Sequence, residues 1–290
     1  MADKSCLAVN QRPRIVFLIP IASPRVVRDW QLACAYFKQT LSSIFNSTSG
    51  KFCVVVAGHE PPDFQLPQDP RLKFLSLDHP LPSQEDGYYL AAVKDKMIKL
   101  GAAWNYAKST WNPQYVMKVD WDDLVSSRVV DWLNTAEDEA GYYIKSGYVW
   151  NCGSRYLIQV TETFGLVCGT CLIIRSDVAD CVVPFLNTKD GATFDENSRQ
   201  IERTDNRSLI PGPGFETILL NDDHGRADAQ FSYIGHRLGI VPFRAAVYRV
   251  QNRVSVSQRG FQIPTMRFLL GRIRRTRLIN DKLRREFRLG

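Results

Sequence analysis

Four short apolar runs constrain this chain more than any other feature. They are RIVFLIP (14–20), KFCVVVAG (51–58), RLKFLSLD (71–78) and QYVMKVD (114–120). Runs this rich in Val, Ile, Leu and Phe, with little polar alternation, read as strands buried on both faces. RDWQLACAYFKQTLSSIF (28–45) and KDKMIKLGAAWNYAKS (94–109) lie between them and carry apolar residues at helical spacing. Strands alternating with helices predict an α/β fold: a three-layer, Rossmann-like arrangement around a mixed, mostly parallel sheet. In such sheets ligands gather at the carboxyl ends of the strands.

The second half is less regular. GYYIKSGYVW (141–150) and SRYLIQVTETF (154–164) predict a hairpin, and GLVCGTCLIIRSDV (165–178) a further strand. Residues 186–214 are polar and close with Pro-Gly-Pro-Gly. A loop of that length in a compact domain is functional or disordered. FETILLNDDHGRADAQFSYIGHRLG (215–239) reads as a helix, an acidic turn and a second helix stopped by Gly239. Cys168 and Cys171 have CxxC spacing, but no second ligand pair accompanies them, so they read as structural residues within a strand. Tyr148 and Trp150 read either as core or as a stacking surface for a sugar.

Bulk numbers bound the class. Hydrophobic content of 44% and charged content of 23% are ordinary for a globular protein. No stretch approaches the roughly 18 apolar residues that read as a membrane span. Seven scattered cysteines suit a reducing compartment, so cytoplasmic is the expected location. No G-x-G-x-x-G or P-loop is present, which disfavours a dinucleotide oxidoreductase or a P-loop kinase. Charge divides the chain into a body, residues 1–266, and a tail, 267–290. Acidic and basic residues balance in the body, so the tail supplies the whole net charge of +7. A neutral body argues against nucleic acid as a partner. In the tail, Phe268, Leu269, Ile273, Ile279, Leu283 and Phe287 share one helical face with most arginines opposite. That pattern fits an anionic membrane surface, a helix docked on the body, or a subunit contact.

The most demanding stretch is YVMKVDWDD (115–123), where a buried strand ends in Asp120, Asp122 and Asp123. Either the turn simply faces water and caps the next helix, or a hard divalent cation holds the carboxylates together. Aspartates two apart on an extended chain point the same way, so Asp120 and Asp122 are expected to converge.

With the helix before it, YVMKVDWDD resembles the metal-binding Asp-X-Asp element of nucleotide-sugar-dependent glycosyltransferases with the glycosyltransferase-A fold, nearest to family 2. The similarity extends through IVFLIPIASPR (15–25), GTCLIIRSDV (169–178), LLNDDHG (219–225) and GIVPFRAAVYRVQNRVSVS (239–257). It implies a nucleoside pocket from Pro20, Ala22, Arg25, Glu60 and Asp78, although Asp78 also reads as a turn former before a proline. Lys96 and Lys99 would approach the diphosphate or else face solvent. The resemblance implies that Asp120 contacts ribose or metal, with Asp122 and Asp123 on a Mn2+ or Mg2+ ion. Asp223 maps to the general base, with Asp222 beside it, and His224 to a metal ligand or acceptor contact. Many relatives carry a histidine where this chain has Gln251.

The expected activity is therefore metal-dependent, inverting transfer of a sugar from a nucleoside diphosphate donor, most simply a UDP-sugar, to a glycan or lipid-linked acceptor. The alternatives are a metal-dependent nucleotidyl or phosphoryl transferase and a non-catalytic nucleotide-sugar-binding protein. A lipid-linked acceptor would put the protein on the inner face of a membrane.

Overall fold

The computed structural model describes residues 12–82, 88–181, 183, 217–220, 224–250 and 275–289, with backbone alone at 88–90 and 224. The four apolar runs become β1 (Ile15–Pro20), β2 (Phe52–Gly58), β3 (Leu72–Ser76) and β4 (Tyr115–Lys118). Every residue of β1, β2 and β4 is buried. Burying each large aliphatic side chain here contributes about 1.5–3 kcal/mol. All four strands are parallel, with Ile15 opposite both Phe52 and Tyr115 and Val54 opposite Leu72. β3 is the edge, and it turns Lys73 and Ser76 outward, as an unpaired edge should.

The sheet continues beyond β4. β9 (Leu172–Arg175) runs antiparallel between β4 and β6 (Gly141–Tyr143), and β10 (Gly239–Ile240) adds parallel to β6. The seven-stranded order is β10-β6-β9-β4-β1-β2-β3. β1 thus stands between β2 and β4. The chain builds outward through β2 and β3, then returns to the opposite side of β1. That reversal opens a crevice at the carboxyl ends of β1 and β4, the usual ligand position in such sheets.

Helix α1 (Trp30–Phe45) follows β1 and starts where the Asp29 carboxylate accepts from the Leu32 N–H at 2.9 Å. Such a cap contributes about 1 kcal/mol. Helix α2 (Tyr88–Trp111) packs on β1 and β2 through Met97, Leu100, Ala103, Trp104 and Ala107, spaced three and four apart. Three short helices follow: α3 (Val129–Thr135), α4 (Ser176–Ala179) and α5 (Ala227–Tyr233).

A second, five-stranded sheet was not expected. β7 (Gly147–Asn151) and β8 (Tyr156–Val160) form the anticipated hairpin. β11 (Ala246–Val250) lies parallel to β7, and β5 (Leu124–Val125) pairs antiparallel with β11. The other edge is β12 (Thr276–Leu278), antiparallel to β8, giving the order β12-β8-β7-β11-β5.

β12 revises the reading of the basic tail. The segment is not one amphipathic helix: a strand at 276–278 precedes a helix, α6 (Asp281–Phe287). The apolar face of α6 turns inward. Ile279, Phe287 and Leu289 pack with Leu124, Tyr148, Trp150, Leu157 and Val247 in a second core, and Leu283 lies against it. Ser126 Oγ donates to Glu286 Oε1 at 2.5 Å, and Asn46 Nδ2 donates to the Arg285 carbonyl at 2.7 Å. Among the described residues, no helix is long and apolar enough to cross a membrane.

Three smaller expectations also change. Residues 217–220 form a turn instead of a helix. α5 ends at Tyr233, two residues before Gly235 at φ +77°, and Gly239 opens β10 instead of stopping a helix. Cys168 and Cys171 lie in the turn ahead of β9, not inside it. The polar stretch 186–214 and the basic residues 267–274 lie outside the described residues.

Candidate functional site

The acidic turn sits at the crevice between β1 and β4. Beyond β4 the backbone bends, and the Asp123 N–H donates to the Asp120 carbonyl at 2.9 Å. Because this is a turn and not extended chain, strand alternation does not govern where the carboxylates point. They divide by depth. The Asp120 side chain is 27% exposed and pairs with Lys96 Nζ at 2.6 Å. Asp122 retains 5% exposure and Asp123 none.

Asp123 is an internal strut. Its Oδ2 accepts from the Thr170 hydroxyl at 2.6 Å and from the Cys168 thiol at 3.2 Å. Its Oδ1 faces the Arg249 N–H at 3.4 Å. Burial, followed by the charges of Asp122 and Asp120, raises the Asp123 carboxyl well above the usual carboxylate range. Burial likewise pushes the Cys168 thiol up, which keeps its proton available for donation. Thr170 holds two levels of the turn at once, since its oxygen also accepts from the Asp120 N–H at 2.9 Å.

Arg249 locks the turn from beneath. It is fully buried, and its Nη1 donates to the carbonyls of Asp122 at 3.0 Å and Tyr36 at 3.2 Å. Nη2 donates to Gln39 Oε1 at 2.5 Å, and the guanidinium lies over the rings of Tyr36 and Trp150. Lys96 thus pairs with the Asp120 carboxylate at the mouth of the turn, while the Arg249 guanidinium holds the Asp122 main chain below it. Sequence reading missed Thr170, Arg249 and Gly169. A Cβ on Gly169 would stand 3.0 Å from Asp120 Oδ2, so glycine leaves room over that carboxylate.

The strand ends beside this turn carry the other expected residues. Pro20 is the buried last residue of β1, and Ala22 is half-buried just beyond it. Glu60 accepts from Ser23 Oγ at 2.8 Å and pairs with the exposed Arg25 at 2.7 Å, bringing the ends of β1 and β2 together. Asp78 is exposed beyond β3. Lys99 does not face the crevice: it is 1% exposed and donates to Asp95 Oδ2 at 2.6 Å. Tyr148 and Trp150 belong to the second core and offer no stacking surface. Asp222, Asp223 and Gln251 lie outside the described residues. His224 opens a short 3₁₀ turn, His224–Arg226, and its side chain lies outside them too.

A second cluster adjoins the first along α2. His59 follows β2, His79 follows β3, and Asp95 lies one residue before Lys96. His79 Nε2 is 2.9 Å from Asp95 Oδ1, and His59 Nε2 is 2.9 Å from the His79 carbonyl. Burial lowers the His59 pKa, which keeps the ring neutral. One ligand atom from each of the three residues lies within 4.8 Å of the others, the sole such group among the described residues. The separations of 20 and 16 residues along the chain form no local motif that could have announced it.

No known protein family matches the chain, and no curated protein is similar to it. Among solved structures it is similar to S. aureus TarS 1-349, at 12% identity and a TM-score of 0.43, over 81% of this chain and 60% of that one. It is also similar to 2-C-methyl-D-erythritol 4-phosphate cytidylyltransferase from Thermus thermophilus, at 14% identity and a TM-score of 0.35, over 89% and 96% of the two chains. The chain thus spans about three-fifths of the length of the TarS structure. Likenesses this loose say nothing of substrate or chemistry, which rest on the residues themselves.

Proposed function

We propose that the chain is a metal-dependent glycosyltransferase that moves a sugar from a nucleoside diphosphate donor, with UDP the expected carrier, to a glycan or lipid-linked acceptor. The observation that carries this reading is the acidic turn at the β1/β4 crevice, with Asp120 at its mouth beside Lys96 and Asp123 anchored below. Asp120 and Asp122 are the fitting ligands for Mg2+ or Mn2+. A positive centre already stands 2.6 Å from Asp120 Oδ1 in the form of Lys96 Nζ, and Gly169 keeps a side chain off Oδ2. Asp123 contributes by holding the turn, because its oxygens are engaged by Thr170, Cys168 and Arg249. Bound at this place, the ion would offset the negative charge that develops on the departing diphosphate.

The chain's own groups have separable tasks. Lys96 exchanges Asp120 for a diphosphate oxygen when donor enters. Arg25, Glu60 and Asp78, at the ends of β1 to β3, line the nucleoside side. Inversion needs a carboxylate to take the acceptor hydroxyl's proton as the anomeric carbon is attacked. Asp223 is assigned that role, with Asp222 beside it and His224 on the acceptor side.

The test pairs product identity with two variants. Wild type with a panel of nucleotide sugars and Mn2+ should release a nucleoside diphosphate, and Asp122→Asn should remove that metal-dependent turnover. Asp223→Asn should cut transfer by about 10²-fold or more while leaving donor affinity unchanged. Release of pyrophosphate from a nucleoside triphosphate and a sugar phosphate, with nucleotide sugars left intact, would instead make the chain a nucleotidyltransferase. Wild-type turnover by Asp122→Asn at limiting Mn2+ would sink the metal assignment.

A further inference from the structure

Asp95 and Lys96 are neighbours on α2, yet they serve different clusters. Lys96 turns to Asp120, whereas Asp95 faces His59 and His79. The second cluster is well enclosed: the side chains of His59, His79 and Asp95 are 3%, 12% and 11% exposed. Its polar atoms are incompletely matched. A carbonyl oxygen can only accept, so the contact of His59 Nε2 with the His79 carbonyl places the ring proton on Nε2. His59 Nδ1 then presents a lone pair. That nitrogen is buried, has no hydrogen-bond partner among the described residues, and lies 3.9 Å from Asp95 Oδ1. A lone pair facing a carboxylate oxygen across this gap is unfavourable unless a positive centre stands between them.

We propose that His59, His79 and Asp95 form a transition-metal site of the zinc class, separate from the acidic turn, which ties the ends of β2 and β3 to α2. Two imidazoles and one carboxylate suit zinc, cobalt or nickel, whereas magnesium and manganese favour all-oxygen sites. With metal–ligand bonds of 2.0–2.2 Å, neighbouring ligands of a tetrahedral ion stand about 3.4 Å apart. The separations of 2.9 Å from His79 Nε2 to Asp95 Oδ1 and 3.9 Å from His59 Nδ1 to the same oxygen straddle that value. All three ligand atoms lie within 4.8 Å of one another, so the two rings must draw in around the ion. The imidazole proton of His79 would move from Nε2 to Nδ1, a buried nitrogen with no hydrogen-bond partner among the described residues, so freeing Nε2 as the ligand costs an unpaired N–H.

The surroundings supply outer contacts for two of the three ligands, His59 and Asp95. A histidine ligand commonly donates its other ring N–H to a carbonyl, as His59 Nε2 does here. Lys99 Nζ holds the far oxygen of Asp95 at 2.6 Å and leaves Oδ1 facing the rings. Its positive charge also opposes a divalent ion, so binding is weaker than at a site with two carboxylates. Ser76 Oγ donates to the His59 carbonyl at 2.7 Å and fixes the backbone at the end of β2. Three protein ligands leave a fourth position open, for water or an anion.

Cobalt is the probe, because tetrahedral Co2+ with nitrogen ligands absorbs visible light far more strongly than octahedral Co2+ on oxygens. Purified full-length chain, stripped with a chelator, should take up one equivalent of Co2+ with a tetrahedral spectrum that Zn2+ displaces. His79→Gln and His59→Gln should each lose that spectrum and at least about tenfold in Co2+ affinity. Asp122→Asn should retain both. Circular dichroism checks that each variant is folded, and His79→Gln, at the more exposed histidine, decides the matter if the His59 variant is not. No stoichiometric tetrahedral cobalt in wild type would overturn the proposal. So would a spectrum that survives His79→Gln, or one that disappears in Asp122→Asn.

Discussion

Replacing Thr170 with valine removes one oxygen and almost nothing else, and the structure states what that oxygen does. It accepts from the Asp120 N–H at 2.9 Å and donates to Asp123 Oδ2 at 2.6 Å, in a residue with no exposed surface. Loss of a hydrogen bond to the protonated carboxyl costs about 0.5–1.5 kcal/mol, and leaving the Asp120 N–H unpaired about 1–3 kcal/mol more. The two overlap in part, so Thr170→Val should destabilise by roughly 2–3 kcal/mol where Asp123 is protonated. The cost should also depend on pH. Burial raises the Asp123 pKa in the folded state, so folded protein holds that proton more tightly than unfolded chain does. Stability contributed by this group therefore falls as pH rises from the ordinary aspartate range through the folded pKa. The Thr170 hydroxyl limits the fall, because its donation favours the charged form. Without it, the gap between wild type and variant should widen as pH rises. Urea unfolding monitored by tryptophan fluorescence, at several pH values from acid to neutral, measures both effects. A gap below about 1 kcal/mol that is constant with pH would refute the account of Asp123 as a buried strut.

Gly169→Ala should impair metal use more than folding, since its Cβ would crowd Asp120 Oδ2 at 3.0 Å. The Mn2+ concentration for half-maximal turnover should rise severalfold while the melting temperature moves little; a reversed pattern would assign Gly169 to the fold. Phe287→Ala should cost about 3–5 kcal/mol, the usual range for emptying an aromatic core position, because the residue is fully buried in the second core. Thermal unfolding checks this, and a melting temperature equal to wild type would return α6 to the surface.

Legibility followed the range of the interactions. β1, β2 and β4 were readable because burial on both faces leaves an unbroken apolar run, such as IVFLIP or FCVVVAG. α1 and α2 were readable from their three- and four-residue spacing. The second sheet was not, since β5 has two residues and β12 three, too few for any period to show. β12 also hides in a basic run that looks helical when 267–290 is read as one unit. The apolar face of α6 is legible in the sequence, but an inward face and a lipid-binding face have the same pattern. At the site, the strand end and its three acids were plain. Their division of labour was not, because the partners that bury Asp123 come from 45, 47 and 126 residues away. A turn reverses the logic of alternation, so Asp120 and Asp122 could not be oriented by counting.

The hydrogen bond from Ser126 to Glu286 bears on the order in which the molecule is made. Its ends are 160 residues apart, and it fastens the segment that immediately follows the acidic turn. Contacts of such separation carry a large loop-closure cost and tend to form late. During synthesis, the earlier strands of the large sheet can collapse while α6 has yet to leave the ribosome. Until it arrives, Leu124, Tyr148 and Val247 lack the Phe287 cover that completes their core. The acidic turn thus receives its final surroundings only after α6 has been made, and a shorter nascent chain carries its carboxylates without yet having a finished site.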